Sequence, residues 1–395
     1  MERLIGSALF RKAEAGLSAG FDHFLQDLVT LTEVEAPPFM EENRGKVFNE
    51  LLKRERLDLV ETDAVGNVIG TRKGTGAGRI VVAAHLDTVF PANTDLRVRK
   101  EGTRWYAPGI CDDTRGLASL LALIRAMDFA GIRTHSDILF VANVGEEGLG
   151  DLRGTRHLFE KGRYAGQIDA FFTLDGINMD SLVTGAIGSY RYDITFKGPG
   201  GHSFLEFGVA NPANALGEFV AGMATIAVPK EPRTTFCVGM VGGGTSVNSI
   251  PQSVWATIDL RSASPQELLQ LDRQMRELID AALAAENARS SPGTAVTVEI
   301  SKIGDRPASI LRESGPVIDE AFEALRLFGF NPQIEYSSTD ANIPLSLGVP
   351  AVMIGSGASG GGIHTLAEWV DVDPEAGQRA LAAILAAVLA VAKLA

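Results

Sequence analysis

The chain has 395 residues, with 36 basic against 49 acidic side chains and a formal net charge of −13. That balance excludes a protein held on nucleic acid or anionic lipid by bulk electrostatics, because phosphates would be repelled. A hydrophobic share of 45% with 22% charged residues belongs to a folded globular chain, and the length suits two domains.

In chain order, Phe21, Phe24, Leu25, Leu28 and Leu31 recur at helical spacing and predict a helix over 21–34. The prolines of EAPPF break it, and a second helix is expected over about 41–54. Apolar strands over 80–84 (IVVAA), 137–144 (DILFVANV) and 168–174 (IDAFFTL) then alternate with a helix over 116–130. Such alternation predicts an α/β domain with a mostly parallel central sheet flanked by helices.

From about 187 the pattern changes. A half-exposed strand over 189–197 is followed by a helix over 212–226, strands over 234–241 and 253–262, a charged helix over 265–287 and a strand over 295–301. The order βαββαβ is that of a ferredoxin-like sandwich. A helix over 317–328, a strand over 351–354 and an apolar terminal helix resume the first pattern. Residues 187–305 therefore read as a domain inserted into another made of 1–186 and 306–395. The terminal apolar run, 380–392, is too short to cross a bilayer and is expected to be buried. The two cysteines build no disulfide framework and no secretory signal is evident, so a cytoplasmic protein without a membrane partner is expected.

The chain has six histidines. His85 directly follows the strand 80–84, and sites in α/β sheets form beyond the carboxyl ends of strands. Asp87, two residues on, is placed to hold the second imidazole nitrogen and fix the tautomer of a metal-binding ring. Asp112 and Asp113 precede the helix 116–130, where one of them suits an N-cap. Glu146 and Glu147 follow the next strand, Asp175 ends the one after, and His364 lies in the glycine-rich loop SGASGGGIHTLAEWV. Together these form an N/O donor set suited to one or two Zn²⁺, Co²⁺ or Mn²⁺ ions, with the Asp112 loop able to bridge a pair. Of the adjacent glutamates, one can ligate while the other takes a proton from a metal-activated water. His23, His135 and His157 are expected to be structural or superficial, and Cys111 a packing residue. GTGAG at 74–78 lacks the strand-before context of a dinucleotide loop and reads as a hairpin turn; GGGTS at 242–246 lacks the lysine of a phosphate loop.

The motifs AHLDTV (84–89), GICDDTRG (109–116), VGEEGLGD (144–151), LDG (174–176), KGPGGHS (197–203), SVNSIP (246–251), STDAN (338–342) and GIHTLAEWV (362–370) resemble, in order and spacing, the M20 group of dinuclear zinc metallopeptidases and amidohydrolases. The resemblance implies a cytoplasmic metalloenzyme whose insertion acts as a lid and dimerisation domain, giving a homodimer. It implies two divalent ions, Zn²⁺ foremost with Co²⁺ or Mn²⁺ also suitable. His85 and His364 would be terminal ligands, Asp112 the bridge, Glu147 a ligand beside His364 and Asp175 beside His85. Asp87 would orient His85, Glu146 would be the general base, and His202 would stabilise the oxyanion from a partner's lid. Asn248 would contact substrate; Arg261, read from its own setting in IDLRS, is a candidate for a substrate carboxylate, with a salt bridge within the lid as an equal reading. Thr114 and Arg115 depart from the group's usual lysine after the two acids. Asp175, in place of the glutamate of carboxypeptidase-like and deacylase-like members, implies a tripeptidase-like aminopeptidase acting on short peptides from a free N-terminus through a metal-bound hydroxide. The other readings are an N-acyl-amino-acid or carbamoyl amidohydrolase on the same scaffold, and a catalytically dead binding module, which the complete donor set argues against.

Overall fold

The computed structural model describes all residues except Ala358. They form two compact units, one of Met1–Ala186 with Leu311–Ala395 and one of Ile187–Ile310.

The first unit is built on an eight-stranded sheet in the order Leu59–Thr62, Val68–Arg72, Asp137–Asn143, Arg79–His85, Ala170–Leu174, Ala351–Ile354, Ser181–Ala186, Gln333–Ser337. Its centre is parallel: Arg79–His85 pairs in parallel with Asp137–Asn143 and with Ala170–Leu174, which pairs in parallel with Ala351–Ile354. Antiparallel pairs flank this centre. The central strands are apolar nearly throughout, because both faces are covered. On one face Val82, Phe140 and Phe172 join a core shared with the helices Ala8–Ala19, Phe21–Thr32, Thr114–Ala130 and Pro374–Ala392. On the other, Val81, Leu139 and Phe171 pack with Leu152, Leu158 and Ile343.

The terminal helix is longer than the sequence run suggests, 19 residues, and apolar enough by length and composition to cross a membrane. It packs instead against Pro316–Leu327 and Ala8–Ala19, and Leu381 to Leu389 is buried continuously. Asp373 caps it through Ala376 N, and Pro374 supplies the fixed φ of a first turn. The glycine-rich segment at 74–78 is not a hairpin. It connects Val68–Arg72 to Arg79–His85, and Asp137–Asn143 lies between those two strands. Its glycines are needed for close approach, since a Cβ on Gly76 would meet the His135 ring.

The second unit is a four-stranded antiparallel sheet in the order Thr234–Gly243, Ser253–Ser262, Gly188–Lys197, Thr297–Arg306. With the helices Pro212–Met223 and Pro265–Arg289 this is a βαββαβ arrangement. Both helices pack on the sheet's apolar face through Ala215, Phe219, Leu271, Met275 and Ile279. The last strand runs to Arg306, past a bulge at Lys302/Gly304, so the unit ends at Ile310 and not at 305. Its bulge and its lysine, glycine, aspartate and arginine hid that extension from the sequence pattern. A two-stranded ribbon sets His202 opposite Ser249.

Candidate metal centre

The strand order brings three carboxyl-terminal strand ends side by side, and each carries donor groups. His85 is the last residue of its strand and lies opposite Asn143, after which come Glu146 and Glu147; Asp175 directly follows Leu174. The remaining donors come from loops. Asp112 precedes the helix Thr114–Ala130, and His364 stands in the left-handed region, with φ of 64°.

The two histidine rings meet at Asp112. His85 Nε2 lies 2.9 Å from Asp112 Oδ1, and His364 Nε2 lies 3.0 Å from Asp112 Oδ2. On the His364 side, Glu147 Oε1 is 3.0 Å from the same Nε2. On the His85 side, Asp175 Oδ1 stands 3.9 Å from Nε2. Donor atoms of His85, Asp112 and Asp175 lie within 4.8 Å of one another, as do those of Asp112, Glu147 and His364, and those of His85, Glu146 and Glu147.

His85 Nδ1 lies 2.9 Å from the Asp87 carbonyl oxygen, which only accepts, so Nδ1 carries the proton. In the neutral ring the Nε2 lone pair then faces the oxygens of Asp112 and Asp175, an arrangement that repels unless a cation lies between. The carboxylates have the same requirement. Burial, with Asp112 nearby, pushes Asp175 up to about 7, while hydrogen bonds to the two histidines hold Asp112 below the usual carboxylate range. His364 is raised to about 10 by Asp112 and Glu147. Clustered acids and lone pairs, all oxygen or imidazole nitrogen, fit one or two divalent ions and require no thiolate.

Around these donors, buried groups fix the ligand-bearing segments. The Asp87 carboxylate accepts from Glu146 N at 3.0 Å and Glu147 N at 2.7 Å, so it holds the loop that carries both glutamates. Its nearest approach to the His85 ring is 3.9 Å, which corrects the expectation for Asp87: its carbonyl orients His85 and its carboxylate orients the glutamates. Burial raises Asp87 to about 6. Asp113 is the helix N-cap, accepting from Gly116 N at 3.2 Å, and also takes His85 N at 3.0 Å. Beneath them lies Arg44, fully buried, donating to Leu86 O at 2.6 Å and Val34 O, with its charge close enough to Asp87 and Asp113 to be felt by both.

Glu368 escaped the sequence reading although it falls within GIHTLAEWV. It is fully buried and accepts from Gly109 N, Cys111 N and Asp112 N at 2.9, 2.7 and 3.1 Å. An acid next to a tryptophan in a strand-like run was the available signal. Thr114 hydrogen-bonds Gly109 O and Thr32, and the Arg115 guanidinium donates to Gly357 O, so the two departures from the usual motif face the protein interior. Cys111 donates to Trp369 O at 3.1 Å, and burial pushes its thiol well up, which suits packing and not nucleophilic attack.

The other expected site residues belong to the second unit. His202 is exposed, and its Nδ1 accepts from Phe204 N at 3.2 Å. Asn248 lies beside it on the ribbon, its main-chain carbonyl taking Ser203 N and its side chain taking Ser246 Oγ. Arg261 gives its Nε to Asp259 at 2.7 Å, an ion pair on its own strand that matches the salt-bridge reading of this residue.

An α/β sheet with acidic and histidine donors converging at its strand ends defines an α/β protein with a candidate metal centre. Residues 81–390 match the pattern of peptidase family M20/M25/M40, and the chain belongs to that family. It is thus an M20-type hydrolase of peptide or amide bonds. Carboxypeptidase G2 of Pseudomonas sp. strain RS-16 is 27% identical over 315 residues, covering 78% of this chain and 72% of that one. Succinyl-diaminopimelate desuccinylase of Parvibaculum lavamentivorans is 25% identical over 267 residues, or 62% and 66% of the two chains. The crystal structure of aminopeptidase PepT from Bacillus cereus superposes with a TM-score of 0.75 at 22% identity, covering 94% of this chain and 99% of that one.

Replacing Asp87 by Ala removes the acceptor for the Glu146–Glu147 backbone. The expected outcome is metal affinity lower by about 10–100-fold with an unchanged circular dichroism spectrum. Chelator competition measures the affinity.

Proposed function

We propose that the chain is a metal-dependent exopeptidase that hydrolyses short peptides from a free N-terminus. One observation carries the hydrolytic reading: a single carboxylate, Asp112, offers one oxygen toward His85 and the other toward His364, with Asp175 and Glu147 on the two flanks. In this reading His85, Asp112 and Asp175 hold one ion, and Asp112, Glu147 and His364 hold the other. Two divalent ions so held, Zn²⁺ foremost and Co²⁺ or Mn²⁺ also suited, supply Lewis acidity to the scissile carbonyl and lower the pKa of a water.

Glu146 is the general base. It is buried, it belongs to the donor cluster with His85 and Glu147, and its main chain is fixed by Asp87. Its carboxylate takes the proton of the attacking water and delivers it to the leaving nitrogen. The partner subunit's His202 donates to the oxyanion, a contribution of several kcal/mol for a well-placed donor, about 3–4 by the usual measure. Asn248 contacts substrate beside it. The homodimer this needs is supported by the edge strand Thr234–Gly243, which leaves Met240 and Val241 exposed. A cytoplasmic setting goes with this reading, since both cysteines are free thiols.

Asp175 as the third acid supports the aminopeptidase direction. The 27% identity to a carboxypeptidase supports the second reading, an amidohydrolase or carboxypeptidase that recognises an N-acylated amino acid.

Glu146→Ala should retain its metal and lose turnover by about 10²–10⁴-fold; metal analysis and kcat read the two halves, and unchanged turnover removes Glu146 from the mechanism. A free tripeptide and its N-acetylated twin, followed by mass spectrometry with Zn²⁺ or Co²⁺ supplied, test the direction. Release of the first residue from the free peptide alone is expected. Hydrolysis confined to the twin, or release of the carboxyl-terminal residue, establishes the second reading. Light scattering should give a mass near twice 42.0 kDa, and a mass near one subunit removes the dimer and with it the role of His202.

A further inference from the structure

We infer that Glu368 is a positioning residue that sets the bridging orientation of Asp112 and ties it to His364, so that its carboxylate governs occupancy of the His364 half of the centre. The inference rests on the two-ion reading of the donor set given above.

Glu368 is not placed as a ligand. Oε1 accepts from Cys111 N and Asp112 N, Oε2 accepts from Gly109 N, and the side chain is wholly buried. All three donors lie on the loop whose end is Asp112. A carboxylate that gathers three N–H groups of one short loop fixes the path of the loop, and with it the direction in which the Asp112 side chain leaves the main chain. That direction has to be narrow, because the two oxygens of Asp112 serve two different histidines, at 2.9 and 3.0 Å.

The same residue also anchors the segment that carries His364. Glu368 N donates to Thr365 O and Glu368 O accepts Ala107 N at 3.1 Å, while the next residues, Trp369–Asp371, pair with Arg104–Tyr106. Cys111 Sγ adds a bond to Trp369 O. Between this anchor and the glycines before it, His364 occupies the left-handed region, which a side-chain-bearing residue keeps only where its surroundings over-determine it.

The two halves of the centre differ in how much they need this anchor. His85 is the end of a paired strand, its N–H is held by Asp113, and Asp175 follows a paired strand directly. His364 has no strand of its own, and its loop is fixed next to Glu368. Loss of the carboxylate should therefore fall on the His364 half. Glutamine at this position keeps the size but turns an NH₂ group toward an N–H donor of the loop.

The test is titration of the metal-free full chain with Co²⁺ alone, comparing wild type with Glu368→Gln by calorimetry and by visible absorption. Wild type should bind two equivalents. In Glu368→Gln the first should bind within about twofold of wild type and the second at least about tenfold more weakly, with only the first site's absorption developing at low metal; partners of this kind typically change affinity 10–100-fold. Glu368→Asp, which keeps the acceptor at shorter reach, should recover part of the second site. Two equivalents with wild-type affinities, or equal weakening of both, overturns the assignment. A wild-type chain that takes up fewer than two ions overturns the two-ion reading and the inference with it. Should Glu368→Gln fail to fold, amide hydrogen exchange on metal-free wild type decides: protection across 109–112 supports the clamp, and exchange as fast as in an exposed loop overturns it.

Discussion

The whole arrangement depends on keeping several like charges together away from water. Asp112, Asp175, Glu146, Glu147 and Asp87 crowd around two imidazoles at the end of a sheet, and burial, reinforced by neighbouring acids, drives Asp175 and Asp87 toward their neutral forms. The fold opposes this in two ways. It brings cation-seeking lone pairs to one point, so that a divalent ion replaces repulsion by coordination. It also buries Arg44 beneath Asp87 and Asp113, where its charge acts on both without forming a direct ion pair. A guanidinium used in this way keeps its donors for Leu86 O and Val34 O and so fixes the turn after His85 as well.

A single device recurs around the centre. Asp87 accepts the backbone of Glu146 and Glu147, Asp113 accepts that of His85, and Glu368 accepts that of Asp112. In each case a buried carboxylate is hydrogen-bonded to the main chain of a ligand-bearing residue. Charge-assisted N–H bonds are stronger than neutral ones, and they act where the strand hydrogen bonds have just ended. The neighbouring acids thus divide into those that face the candidate metal centre and those that hold the facing ones in place. Asp112 and Asp113, adjacent in sequence, fall on opposite sides of that division.

Much of this was legible in the sequence, for a physical reason. An apolar strand buried on both faces stops abruptly, and the first polar residues after it stand at the sheet's carboxyl edge; His85, Glu146, Glu147 and Asp175 all carry that signature. The N-cap role of one Asp of the pair was legible too, because a helix start needs an acceptor. Glu368 was not, since its partners are main-chain N–H groups that a sequence does not display. The strand Ser181–Ala186 is short and glycine-containing, and the end of Thr297–Arg306 carries a bulge, a glycine and charged residues that break the apolar alternation. The segment at 74–78 was misjudged as a hairpin because strand order is a tertiary property: nothing local says that Asp137–Asn143 intervenes. The ion pair of Arg261 was legible as an alternative, because Asp259 lies two residues away on the same face of the same strand.

The division between rigid and looped ligands gives the centre an asymmetry with a chemical consequence. His85 and Asp175 inherit their positions from parallel strands that cannot shift without breaking the ladder, so that half is preorganised by the fold itself. Glu147 and His364 inherit theirs from loops, and those loops are fixed by Asp87 and Glu368. Glu146, the proposed general base, shares its loop with Glu147, the proposed ligand of the looped half, and both are positioned by the carboxylate of Asp87. In the proposed mechanism, whatever orders that half for metal therefore also orders the base, and changes at Asp87 act on both together.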